Sequence, residues 1–162
     1  MREMRKIKRK LSDEESYSLL EDLKTITISM YDEEFKTPYA VIMNPIVNGS
    51  TIFVHCANEG RKIDILKKNG NVCITAVSDS KIIEDKFTTA YKSIVITSCA
   101  RFVEEKEDKI KVLELLCEKL TPSNSQDAIA RLIAAQIDNT TIIAFDIESI
   151  SGKCHLKEKL KD

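Results

Sequence analysis

The chain reads as a mainly β protein with peripheral helices, a six-stranded antiparallel barrel forming one domain over residues 1–162. Three observations point there. Apolar and polar residues alternate at period two in several separate stretches, the pattern of strands buried on one face. Asn48-Gly49 stands between two such stretches, and both residue types tolerate the positive φ of a two-residue hairpin turn. A doubly wound sheet needs a helix between most strands, whereas a short helix follows strand 50–56 as an isolated case. Gly-x-Gly-x-x-Gly is absent as well, which disfavours a Rossmann-type dinucleotide site.

Taken in order, residues 1–10 form a basic arm (Arg2, Arg5, Lys6, Lys8, Arg9, Lys10) with one interrupting acid and no aromatic residue. That composition suits a solvated or partner-draped terminus better than a nucleic-acid contact. Ser12-Asp-Glu-Glu15 is a capping box, in which the Ser hydroxyl accepts from the backbone three residues on and Glu15 reaches back. The helix it starts buries Tyr17, Leu20 and Leu23. From Thr25 the period changes to two, so Ile26, Ile28 and Met30 share the inner face of a strand. A turn over Asp32 to Thr37 leads to a strand at 39–47, with Pro45 at its edge or at a bulge. Asn48-Gly49 pairs this strand antiparallel with strand 50–56. A helix at 59–69 follows, with Ile63, Ile65 and Leu66 on its inner side and a stop at Asn69-Gly70.

Val72 to Val77 is the next strand, then a polar connection containing Ile82-Ile83, then strand 93–103. Helix 110–120 follows, with Ile110, Leu113, Leu116, Cys117 and Leu120 at three- and four-residue steps until Pro122 breaks it. A second helix near 126–137 presents Ile129, Leu132 and Ile133. Strand 141–147 completes the barrel, and residues 151–162 form a polar tail.

Composition narrows the function. Hydrophobic residues at 43%, charged residues at 31% and a net charge of −1 describe a globular protein with no bias toward nucleic acid or anionic membrane. No apolar run has the length of a membrane span, and the N-terminus lacks a secretory apolar core, so a cytoplasmic location is expected. The cysteines (Cys56, Cys73, Cys99, Cys117, Cys154) are odd in number and form no Cys-x-x-Cys pair, which suggests reduced, buried thiols. His55 and His155 each adjoin a cysteine but have no partner at metal-ligand spacing, so no metal site is expected.

The stretch Thr51–Asn69 holds the most chemistry. An apolar strand ends in a polar corner, and Arg61-Lys62 fall in the first turn of the next helix. Unpaired N–H groups and the positive end of the helix dipole suit an anion such as phosphate. On the residues alone, a solvated helix face is the favoured reading over an anion site, and Glu59 nearby opposes an anion.

Three stretches, taken together, resemble a known family: Phe53-Val-His-Cys-Ala-Asn-Glu-Gly-Arg-Lys62, Lys86-Phe-Thr-Thr-Ala-Tyr-Lys-Ser-Ile-Val95 and Ile147-Glu-Ser-Ile-Ser-Gly-Lys153. The chain resembles the FMN-binding split-barrel family that includes pyridoxamine 5′-phosphate oxidase, and within it the nitroimidazole-resistance branch. The resemblance implies a split barrel and a homodimer with FMN (FAD as the alternative) at the subunit interface. Carried over by motif, Arg61 and Lys62 hold the flavin phosphate. Val54 and His55, with Cys56 and Ala57 continuing the strand end, lie beside the ribityl-phosphate chain. Val41, Ile42, Met43 and Asn44 run along the isoalloxazine ring, and Ser93 stands where the oxidase has a Gln. His55 then has three roles open: a hydrogen bond to the flavin phosphate or ribityl oxygens, a strand-end bond to backbone, or a reactive group beside the flavin.

The departures matter. Tyr39 and Asn44 replace the basic residues at the two ends of the oxidase strand, and Ile42 replaces a common proline of the nitroimidazole-resistance branch. The oxidase's C-terminal Trp and Arg have no counterpart, so recognition of pyridoxine phosphate is not expected. Loss of a cation at Asn44 removes stabilisation from an anionic reduced flavin and is expected to lower its potential. The resemblance thus implies an FMN-dependent oxidoreductase passing electrons to a small acceptor, of which a nitroimidazole or nitroaromatic is one candidate. A non-catalytic flavin- or haem-binding module on the same barrel is the alternative.

Overall fold

The computed structural model describes residues 3–160, with Lys159 described by its backbone alone. Met1, Arg2, Lys161 and Asp162, the ends of the basic arm and of the polar tail, lie outside the described residues. The elements run α1 (Asp13–Asp22), β1 (Ile26–Asp32), β2 (Thr37–Met43), β3 (Ile46–Asn48), β4 (Thr51–Ala57) and α2 (Arg61–Lys68). They continue with β5 (Asn71–Ile83), β6 (Thr88–Val103), α3 (Lys106–Leu120), α4 (Gln126–Gln136) and β7 (Thr140–His155). No helix among the described residues is long and apolar enough to cross a membrane.

All seven strands join one antiparallel sheet in the order β2-β1-β5-β6-β7-β4-β3. The sheet curls into a split barrel around Ile26, Ile28, Ile52, Val54, Ile74, Ile94, Ile96 and Phe145, none more than 1% exposed. Leu20 and Leu23 of the α1 segment and Ile63, Ile65 and Leu66 of α2 close the ends of this core. A second core lies on the outer side of β7, where Ile142 and Ala144 meet Leu113 and Leu116 of α3 and Ile129 and Ile133 of α4.

Local chemistry explains most boundaries. Both capping-box bonds form, Glu15 N donating to Ser12 Oγ and Ser12 N to Glu15 Oε2, each at 3.0 Å. Ser16 rather than Tyr17 is the buried partner of Leu20, because Ser16 faces Gly152 of β7. Ser125 caps α4 by accepting from Ala128 N.

Five expectations need correction. The strand expected at 39–47 is two strands: β2 pairs with β1, and only β3 pairs with β4. Pro45, without an N–H, sits at the break, which also raises the strand count from six to seven. The β3–β4 turn is Gly49-Ser50 rather than Asn48-Gly49, since Asn48 pairs with Thr51 and Gly49 takes φ +60°. The polar connection after Val77 is strand: β5 continues past a bulge between Val77 and Asp79 to Ile83, pairing with β6. The tail is also strand as far as His155, paired with β6 along its length. The cysteines are free thiols, but Cys99 is exposed and the others are half-buried.

The last four residues of the basic arm belong to the fold. Ile7–Arg9 form one 3₁₀ turn, Lys10 bridges to Lys153, and Arg9 Nη2 lies 3.1 Å from His155 Nε2.

Candidate functional site

The corner between β4 and α2 is built by Gly60. Its φ of +123° lies where side chains are strained, and its carbonyl accepts from Ile63 N at 2.8 Å and Asp64 N at 3.2 Å. The N–H groups of Arg61 and Lys62 therefore stand at the open end of α2.

The two cations of the corner behave differently. Arg61 turns back across the barrel mouth, and its Nε donates to Asp32 Oδ2 at 2.8 Å. Its guanidinium lies 4.5 Å from the Tyr39 ring centre and 5.3 Å from that of Phe35. The other carboxylate oxygen of Asp32 accepts from the amides of Glu34 and Phe35, so this side chain, only 5% exposed, ties the β1–β2 turn to α2. Burial pushes the Asp32 carboxyl up, but the Arg61 bond, the Phe35 and Glu34 amides and the Arg61 charge outweigh it and hold it below its ordinary value.

Lys62, by contrast, is half-buried and pairs with no acid among the described residues. Its positive field reaches the Cys56 thiol, although burial still raises that thiol above the ordinary range. An unpaired, partly desolvated ammonium beside open helix N–H groups is a donor set that fits a phosphate.

On the other side of β4, His55, Cys56 and Ala57 line a cleft of about 580 Å³ walled by α3 and α4. Desolvation by those walls lowers the His55 imidazole below its usual value. Val54, one residue earlier, points into the barrel core and is fully buried; only its backbone can reach a ligand.

The remaining candidates lie elsewhere. Val41 and Met43 face the barrel core with Tyr39, whereas Ile42 points outward and is 73% exposed. Asn44 Nδ2 donates to the Lys24 carbonyl at 2.7 Å, so its amide secures the entry to β1. Ser93 lies opposite Val77 and Lys153, on the outer face of the sheet. That face is continuous: strand pairing aligns Ile42, Thr27, Thr75, Val95 and Ser151 in one rung across β2, β1, β5, β6 and β7. Within one chain, then, Arg61 and Lys62 lie at the corner, His55, Cys56 and Ala57 at the cleft, and Ile42 and Ser93 on the outer face, while Val41, Met43 and Val54 face the core and Asn44 holds the entry to β1.

Sequence reasoning missed Asp32, which sits in a turn 29 residues before its partner and leaves no local signal. It also missed the helical wall of the cleft. Leu132 had the spacing of a buried position, yet it is 56% exposed at the cleft mouth.

A split barrel whose β4–α2 corner leaves helix N–H groups open beside Lys62 defines a class of small antiparallel-barrel proteins. The chain belongs to the pyridoxamine 5′-phosphate oxidase family, whose model matches residues 12–154. No curated protein sequence matches it. Among solved structures, it is similar to conserved hypothetical protein Rv2991 from Mycobacterium tuberculosis, with TM-score 0.80 and 14% identity over 100% of this chain and 95% of that one. It is similar to the flavocytochrome Anf3 from Azotobacter vinelandii, with TM-score 0.76 and 15% identity over 94% and 72%. A candidate 5-nitroimidazole antibiotic resistance protein from Bacteroides thetaiotaomicron gives TM-score 0.72 and 23% identity over 89% and 85%. At these identities the structural likenesses show the fold.

Proposed function

We propose that the chain is an FMN-binding oxidoreductase that works as a homodimer and passes electrons to a small acceptor. The observation that carries this reading is Lys62: half-buried, without an acidic partner among the described residues, and beside the open N–H groups of α2. Family membership and the likeness to a flavocytochrome support flavin as the owner of that phosphate.

When bound, the flavin supplies the electron transfer; the chain supplies position and charge. Lys62 and the Arg61 and Lys62 amides neutralise the phosphate. One charge pair at about 4 Å and an effective dielectric near 20 is worth roughly 4 kcal/mol before desolvation. Arg61, anchored by Asp32, offers its terminal nitrogens from a fixed position, while its Nε is already committed. Asn44 contributes no cation near the ring.

The outer face of β2, β1, β5 and β6 supports the dimer. Ile42, Val77 and Val95 are 73%, 59% and 39% exposed on this face, where Tyr31 and Pro38 join Ala, Thr, Ser and Cys side chains. A second copy on this face would bring Ser93 and Ile42 to the interface.

Paired titrations with FMN and riboflavin test the phosphate grip, since the two differ only by that group. FMN should bind at least about tenfold more tightly, and Lys62→Ala should remove most of that preference. Equal affinities for the two flavins in the unsubstituted protein would overturn the assignment.

A further inference from the structure

The cleft between α3, α4 and the end of β4 has an unusual lining. In a chain in which 31% of residues are charged, none of the fourteen residues around this cleft is Asp, Glu, Lys or Arg. Its titratable groups are also uncharged near neutrality: desolvation lowers His55, and burial raises the thiols of Cys56 and Cys117. Leu113, Leu116 and Leu120 of α3 face Ile133 of α4 across it, and Leu132 stands at its mouth, 56% exposed. Gln136, Asn124 and Thr121 place amide and hydroxyl groups along the lining. About 580 Å³ lies within the range of small-molecule sites.

We infer that this cleft is a binding site for an uncharged, mainly apolar small molecule whose one polar end is oriented by Gln136, Asn124 and Thr121. A charged ligand would lose its hydration here and find no charged side chain in the lining, which is costly. An apolar ligand gains by covering the leucine wall and the exposed Leu132. The cleft adjoins the anion corner through Cys56, which feels the Lys62 charge, but neither Arg61 nor Lys62 lines it.

The test uses two fluorescent probes with one ring skeleton, N-phenyl-1-naphthylamine and its charged relative 1-anilinonaphthalene-8-sulfonate. The neutral probe should saturate at one per chain and bind at least about tenfold more tightly than the sulfonate. Leu132→Asp should weaken the neutral probe about tenfold, and Gln136→Lys should raise sulfonate affinity by a similar factor. Both positions are exposed, so circular dichroism should show an unchanged fold. Excess FMN should leave the neutral probe bound. Equal affinity for the two probes, or no response to either substitution, overturns the inference. So does displacement by FMN, which would give the cleft to the flavin. A probe affinity that falls as protein concentration rises would give the mouth to a second copy and overturn the inference as well.

Discussion

Asp32 and Arg61 form an ion pair that ties the β1–β2 turn to the start of α2 and fixes where the guanidinium lies. The Asp32 carboxylate accepts from Glu34 N, Phe35 N and Arg61 Nε, so both oxygens are engaged inside a turn that exposes little of them. Its carboxyl is held below the ordinary value, so its contribution to stability is present above the unfolded carboxylate value near 3.9 and fades as pH falls through the lower folded value. Asp32→Asn should flatten the acid side of a stability–pH curve while leaving its neutral-pH slope unchanged. Denaturant midpoints measured from neutral pH down through the carboxylate range check this, and parallel curves for both proteins would contradict it. The same substitution frees Arg61, so FMN affinity should fall less than with Lys62→Ala. The cation pair was legible in the sequence because the residues adjoin. Its division into an anchored Arg and an unpaired Lys was not, since Asp32 is distant along the chain.

At the scale of elements, the sequence was clearest where a local signal is strong. The capping box, the α2 stripe of Ile63, Ile65 and Leu66, and the alternation in β1 all place residues where the structure has them. Polar strands were opaque. Ser151, Gly152 and Lys153 look like a tail, yet β7 carries them because β6 beside it supplies their ladder partners Val95, Ile94 and Ser93. Gly152 shows why this extension matters. A Cβ there would collide with Ser16 Oγ and approach Leu11 Cβ and Cδ1 to 3.0 Å, so α1 rests directly on the β7 backbone. Gly152→Ala should therefore push α1 off the sheet and cost about 1–3 kcal/mol by overpacking, measured as a urea-midpoint shift. Gly49 is a different case: a Cβ meets nothing within 4 Å, and only its φ of +60° resists substitution. Gly49→Ala should cost about 1–2 kcal/mol through backbone strain, with the sheet unchanged.

Across the whole molecule, the curled sheet separates an inner core from an outer face that the α3–α4 pair covers at β7. Period-two alternation revealed the inner residues, and Ile94 and Ile96 lie inside as the pattern requires. For the outer face, family resemblance alone suggested a role, because its mix of small Ser, Thr and Ala side chains with exposed Ile42, Val77 and Val95 suits solvent as well as an interface. If that face joins two copies, Val77→Lys should convert a dimer to monomers in sedimentation equilibrium without altering the circular dichroism of the chain. An unchanged mass would direct attention to another surface. The neutral cleft lay beyond sequence reasoning for a related reason: its lining is assembled from β4, α3 and α4, none of which looks unusual alone.

The central claim is that this barrel holds FMN through its phosphate at the β4–α2 corner. The most direct measurement is the visible absorption spectrum of the purified protein after incubation with excess FMN and desalting, with the released chromophore identified by mass. One FMN retained per chain is the result predicted. A protein that remains colourless would contradict the claim.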